Sequence, residues 1–216
     1  LNEKTNETMS LSLTVIIIAI TVIVSIAAFN NGRLMHQYIL NPYTVHRRNE
    51  WWRLLTSGFL HGDFGHLFFN MFSLYIFGEG VESYFRQIFG NKADFFYLLL
   101  YLLGIIVANL PDTFSKKNNS GYNALGASGG VASVVFAFIM FQPTAKMGFL
   151  PLPPIIPAWI FGILYLLYSR YMAQKQYDNI GHTAHMWGAL WGVVFVILAY
   201  PPIVQHFIQT IAGSFQ

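Results

Sequence analysis

The chain has 216 residues, 55% of them hydrophobic and only 10% charged, against about 45–50% and about 25% in ordinary soluble domains. With 12 Lys and Arg and 9 Asp and Glu it lacks the ionised surface that a soluble enzyme of this length needs. The absence of cysteine excludes disulfides, thiol nucleophiles, iron–sulfur clusters and thiolate zinc sites, and the net charge of +3 is scattered without a Lys/Arg run, which argues against nucleic acid as a partner.

Long intervals without charge remain, and a bilayer span takes about 20 apolar residues, fewer where the membrane thins. Six helices are predicted, at residues 11–29, 66–84, 95–110, 128–141, 155–172 and 183–200. The expected fold is therefore an all-α polytopic membrane protein, a single domain over residues 1–216.

The first span, rich in Ile and Val, has no polar side chain larger than Ser or Thr and reads as lipid-facing. A cleaved signal peptide would precede a soluble protein, which the apolar segments behind it exclude. From Asn30 to Gly65 runs a long first loop mixing Arg33, Arg47, Arg48 and Arg53 with Tyr38, Tyr43, Trp51 and Trp52. Aromatics among arginines suit the headgroup layer, so this loop is expected to be partly helical and interfacial.

The second span opens HGDFGHLFFN, with His66 and Asn70 four residues apart on one helical face and His61 just upstream. Both side chains carry N–H donors able to hold an oxyanion; the plainer reading is a polar interhelical contact. The fourth span begins GASGGVAS, a surface almost without side chains. Ser128 falls on its first turn, where free backbone N–H groups favour developing negative charge, the alternative being an N-capping serine. Residues 126–130 also match G-x-S-x-G, but Gly121 to Leu125 is not the strand that a nucleophile elbow requires, so the match is incidental.

After the fifth span, Ala173 to Gly181 is polar, ends in glycine and is a candidate lid. The sixth span carries His182 and His185, with Ala184, Gly188 and Gly192 spaced four apart as a flat stripe. If this stripe meets the bare face of the fourth span, His185 comes within hydrogen-bond reach of Ser128. Metal binding by His61, His66, His182 and His185 is disfavoured, since there is no HExxH and no carboxylate lies beside them in the spans. Of the basic residues, Lys4, Arg86, Lys92 and Lys146 fall on one side, and Arg33, Arg47, Arg48, Arg53, Lys116, Lys117, Arg170 and Lys175 on the other, which puts the N-terminus outside.

Trp52-Arg53, His61-x4-His66-x3-Asn70, Gly126-x-Ser128-Gly129 and Ala184-His185-x2-Gly188-x3-Gly192, in that order, resemble the rhomboid family of intramembrane serine proteases. The resemblance implies a six-transmembrane-helix rhomboid bundle in which Ser128 is the nucleophile and His185 the general base. His66, Asn70 and the Ser128 amide would form the oxyanion hole. Trp52, Arg53, His61, Glu82, Gly126, Gly129, Gly188 and Gly192 would give structural support, Arg53 and Glu82 tying the first loop to the end of the second helix. It also implies transmembrane protein substrates with small side chains before the scissile bond, no cofactor, a place in a bacterial cell membrane, and an N-terminus in the cytoplasm, opposite to the charge count.

Two features qualify the likeness. Many relatives carry an aromatic residue one turn after the nucleophile, packed on the catalytic histidine, where this chain has Ala132. No carboxylate completes a triad, because Asp178 lies seven residues before His185 in an expected loop, so a Ser-His dyad is predicted. It needs neutral His185, and activity should fall on acidification through a pKa of about 6.5. The competing readings are a catalytically inactive rhomboid-like binding or trafficking factor, disfavoured because Ser128 and His185 are both present, and a small transporter, disfavoured by the lack of inverted repeats.

Overall fold

The computed structural model describes residues 12–148, 153–175 and 181–216. Helix α1 (Leu13–Phe29) starts at Ser12, whose hydroxyl accepts the Val15 N–H. Three short helices follow: α2 (Gly32–Tyr38), α3 (Pro42–Arg48) and α4 (Arg53–Thr56), which leads into a 3-10 turn at Ser57–Phe59. Asn31 and Asn41 cap α2 and α3 through their Oδ1 atoms, which accept from Leu34 N (3.1 Å) and Thr44 N (2.8 Å). Helix α5 (Phe64–Phe89) is capped by Asp63, whose Oδ1 accepts the His66 N–H at 2.8 Å.

Beyond a 3-10 turn at Gly90–Lys92 come α6 (Ala93–Ser115) and α7 (Ser128–Phe141). A two-stranded antiparallel ribbon, β1 (Lys146–Met147) and β2 (Ile156–Pro157), with Lys146 opposite Pro157, connects to α8 (Ala158–Lys175). Helices α9 (His182–Ala199) and α10 (Ile203–Gly213) complete the described chain.

Helix α7 is the centre, buried on nearly every side, with α5, α6, α8 and α9 around it. Its glycines allow backbones to touch. A Cβ on Gly129 would strike that of Ala108, one on Gly188 the Gly129 carbonyl, and one on Gly192 the Ser133 carbonyl. The bare face of α7 and the flat stripe of α9 therefore do meet. The main core packs Leu74, Val81, Tyr97, Leu100, Tyr101, Ile105 and Val134 between α5, α6 and α7; a smaller cluster joins Ala132 and Phe136 to Phe161 of α8.

Outward faces carry Ile20, Ile23, Phe68, Leu164, Leu167 and Leu198, an apolar exterior suited to lipid rather than water. The stretch Phe64–Ser115 and helix His182–Ala199 are long and apolar enough to cross a membrane; Leu13–Phe29 and Ser128–Phe141 are apolar but shorter. Helix α8, with Ser169, Arg170 and three tyrosines, is in neither group.

Some elements depart from expectation. Proline commonly ends a helix, yet α6 continues beyond Leu110 through Pro111 to Ser115, with the Thr113 hydroxyl bonded to the Asn109 carbonyl (2.8 Å). Helix α8 runs to Lys175, so Ala173 to Lys175 of the expected lid are helical; residues 176–180, with Asp178, lie outside the described residues. Helix α10 lies beyond the last predicted span, with Pro202 at its N-cap and Ile203 buried.

Arg53 and Glu82 do not tie the first loop to the end of α5. Arg53 donates to Glu50 (2.6 Å) and to the carbonyls of His36 (2.9 Å) and Ile39 (2.8 Å), closing the first loop on itself. Glu82, 2% exposed, accepts from the Ser12 hydroxyl (3.1 Å) and the Leu13 (3.2 Å) and Thr14 (2.5 Å) amides, and pairs with Arg86 (2.9 Å). It thus satisfies the free N–H groups at the start of α1. Trp52, 51% exposed, stands at the N-cap position of α4.

Candidate active site

Ala127, not Ser128, occupies the N-cap of α7, so Ser128 is the first helical residue and does not cap the helix. The chain before it is held from several sides. Leu40 and Ala124 exchange backbone hydrogen bonds (3.0 and 2.9 Å), and the Asn41 amide donates to the carbonyls of Ser120 (3.0 Å) and Tyr122 (3.1 Å). The Gly126 N–H donates to the Ser57 carbonyl at 3.0 Å. Gly126 has φ +123°, and a Cβ there would lie 2.7 Å from Cε1 and 2.8 Å from Nε2 of His66. Only glycine lets the His66 ring rest against this loop.

His61 fixes the same loop from below. The Ala127 N–H donates to its Nε2 at 3.4 Å, which puts the ring hydrogen on Nδ1. Nδ1–H then donates to the Ser25 hydroxyl (2.8 Å), and that hydroxyl donates to the Phe59 carbonyl (2.9 Å). Both ring nitrogens are occupied, which leaves His61 a scaffold group. Burial, reinforced by His66 and partly offset by Asp63, pushes its imidazole down to about 3.

His66 and Asn70 stand on the first turns of α5. The Asn70 amide donates to the His66 carbonyl (3.1 Å), which leaves its second N–H for another acceptor. The rings of His61 and His66 meet edge to face at 4.9 Å. His185, on the first turn of α9, has the ring of Tyr165 nearly parallel to it (6.3 Å, 21°) and that of His182 edge-on at 6.0 Å. Tyr165 was not singled out from the sequence; its contact depends on how α8 docks, which a single chain's periodicity does not encode.

Ser128, His185, His66 and Asn70 all line one cavity of about 1150 Å³, together with Gly126, Gly129, Ala132, Tyr165 and His182. His61, Trp52, Arg53, Glu82, Gly188 and Gly192 stand outside its wall. The cavity extends past the Gly121–Gly126 loop to Asn109, Asp112 and Tyr122, the last two hydrogen-bonded at 2.7 Å. Among the described residues no three His, Asp or Glu side chains are grouped so as to hold a metal ion. A hydroxyl, an imidazole and several N–H donors around one pocket are the groups acyl transfer uses.

Residues 48–202 match the Rhomboid domain family. The chain is 29% identical over 176 residues to Rhomboid-like protein 11, chloroplastic, of Arabidopsis thaliana, covering 74% of this chain and 56% of that protein. It is 28% identical over 175 residues to RHOMBOID-like protein 12, mitochondrial, of the same plant, covering 71% and 49%. To the Putative rhomboid protease YdcA of Bacillus subtilis it is 29% identical over 151 residues, covering 69% and 67%. The match thus spans about half the length of the two plant relatives. With the family's domain extending from the end of α3 to the turn before α10, this chain belongs to the rhomboid family of integral membrane proteins.

Proposed function

We propose that the chain is an active intramembrane serine endopeptidase, spanning the membrane six times through α1, α5, α6, α7, α8 and α9, and cleaving transmembrane protein substrates with a Ser128–His185 dyad. The membrane proposed is a bacterial cell membrane, in keeping with the Bacillus relative, with the N-terminus cytoplasmic and the cavity opening outward. The observation that carries this reading is the convergence of Ser128, His185, His66 and Asn70 on one cavity from three separate helices.

In this mechanism the His185 imidazole takes the Ser128 proton as Oγ attacks the peptide carbonyl carbon. The resulting oxyanion is held by the Ser128 amide, the His66 ring N–H and the second N–H of Asn70. His185 then returns the proton to the departing amine nitrogen, leaving an acyl ester on Ser128. Water, losing a proton to the same imidazole, attacks the ester; the carboxylic acid departs and the hydroxyl is restored. A substrate helix must unwind to present its carbonyl, which glycine, proline or polar residues near the cut would ease.

The depth of the site has a simple basis. Helix α7 has 14 residues and so rises about 21 Å, short of the roughly 30 Å bilayer core. Its first residue, Ser128, would lie below the outer surface, and the cavity above it would hold the water that hydrolysis consumes.

The test is cleavage of a model transmembrane substrate in detergent by the purified protein and by Ser128→Ala and His185→Ala. Removing either group is expected to lower kcat roughly 10⁴- to 10⁶-fold. Equal residual activity in wild type and Ser128→Ala would overturn the proposal. A fluorophosphonate should label Ser128; labelling of Ser120 or Ser133 instead, or full-rate labelling of His185→Ala, would overturn the dyad.

A further inference from the structure

We infer that Tyr165 of α8 is the positioning residue of His185, so that the base of the dyad is oriented from α8 and not from α7, the helix that carries the serine. The inference rests on the dyad proposed above and adds to it a residue outside the motifs. The two rings are 21° from parallel with centroids 6.3 Å apart, within the offset-stacking range of aromatic pairs. Tyr165 is itself held on two sides, by Phe161 at 6.3 Å (21°) and by Phe136 of α7 at 5.6 Å (52°).

The position on α7 one turn beyond Ser128 is Ala132, buried in the same apolar cluster with only a methyl group to offer. The nearly parallel ring beside His185 therefore belongs to another helix. That ring matters because the terminal torsion of histidine has a broad well, while general-base catalysis needs one nitrogen aimed at the hydroxyl. A flat aromatic wall narrows the torsion without consuming either ring nitrogen, which a hydrogen bond to Nε2 would do. Helix α8 packs on α7 at this point, where a Cβ added at Gly162 would come within 3.3 Å of Ile139 Cδ1 and 3.4 Å of Phe136 Cε1.

The experiment measures kcat and KM on a transmembrane substrate in detergent, with fluorophosphonate labelling in parallel, for wild type, Ser128→Ala, Tyr165→Phe, Tyr165→Leu and the double variant Tyr165→Leu with Ala132→Phe. Tyr165→Leu is expected to lower kcat roughly 10- to 100-fold, the scale of an angstrom-sized misplacement of a catalytic group, with KM within about threefold. Tyr165→Phe keeps the ring and most of kcat. The double variant returns a ring to the same space from α7 and recovers most of the loss. Thermal unfolding checks that each variant is folded; should Tyr165→Leu fail, Tyr165→Met takes its place. Unchanged kcat in Tyr165→Leu, an equal loss in Tyr165→Phe, or a loss that Ala132→Phe does not recover overturns the inference. Activity that survives Ser128→Ala refutes instead the dyad on which it rests.

Discussion

Replacing Gly188 by alanine tests the contact that joins the two halves of the proposed dyad. An added Cβ would fall on the Gly129 carbonyl oxygen and lie 2.9 Å from both the carbonyl carbon and Cα of Gly129. Carbon atoms in favourable contact are about 3.5–4.0 Å apart, so α9 must retreat from α7 by roughly 0.6–1 Å. Backbone on the far side cannot rotate away as a side chain could. The expected cost is about 1–3 kcal/mol of overpacking, reduced by up to about 1 kcal/mol because alanine is the better helix former. The effect on rate should be larger. Gly188 lies three residues beyond His185 and Gly129 directly follows Ser128, so the displacement acts on the Ser128–His185 separation almost undiminished. A misplacement of that size costs about 10²-fold. The assay is thermal unfolding in detergent beside substrate cleavage, with Gly32→Ala, where an added Cβ meets nothing within 4 Å, as the control. A Gly188→Ala variant with wild-type melting and wild-type kcat would refute the reasoning.

Gly126→Ala combines a positive φ of +123° with a Cβ 2.7 Å from the His66 ring; it should slow fluorophosphonate labelling roughly 10- to 100-fold by moving the proposed oxyanion donor, more than its change in melting suggests. Glu82→Gln removes the charge that caps α1 and pairs with Arg86, and a loss of about 1–3 kcal/mol is expected in thermal or denaturant unfolding, with Ser128 labelling per folded molecule unchanged. The imidazole of His61 is held down to about 3 when folded against about 6.5 unfolded. Its contribution is therefore complete above about pH 6.5 and is lost as pH falls from there toward 3, by about 1.4 kcal/mol per unit. Wild type should lose stability faster than His61→Gln between pH 6 and 4.5 in parallel unfolding curves, and identical slopes would contradict the burial that holds the His61 imidazole neutral.

What the sequence exposed and what it hid divide along physical lines. The stripe of Gly188 and Gly192 and the bare start of α7 were legible because a four-residue spacing is a local property of one helix, and two flat faces in an apolar chain have little choice but to pack together. Ser128 on the first turn of α7 was legible for the same local reason. The partner of Glu82 was not. Its carboxylate serves whichever helix end the fold brings beside it, and this proved to be the start of α1, 68 residues away from Thr14. Tyr165 escaped because tyrosine on an apolar helix looks the same whether it faces lipid or a histidine. Helix α10, of 11 residues, falls beyond the predicted spans because so short a helix does not cross a bilayer, and proline begins a helix as readily as it ends one.

Among the described residues most polar side chains buried in this molecule have their hydrogen bonds closed by protein, Tyr101 Oη and Ser169 Oγ being exceptions. Removing a polar group's partner in an apolar interior costs about 1–3 kcal/mol, so a group kept there for structure should have its bonds closed by protein. Thr14 and Tyr97 bond each other at 2.7 Å, the Thr21 hydroxyl donates to the Ile17 carbonyl at 2.7 Å, and His61 is bonded at both nitrogens. The two serines of α7 make the comparison directly. Ser133 is fully buried and its hydrogen goes to the Gly130 carbonyl at 2.7 Å, with the Leu100 carbonyl 3.2 Å away, so its oxygen is committed to the α6–α7 contact. Ser128, five residues earlier and half-buried, lies on the cavity wall instead. A serine-directed probe entering that cavity reaches Ser128 at the helix start, whereas attack by Ser133 would first require breaking the packing that holds α6 against α7.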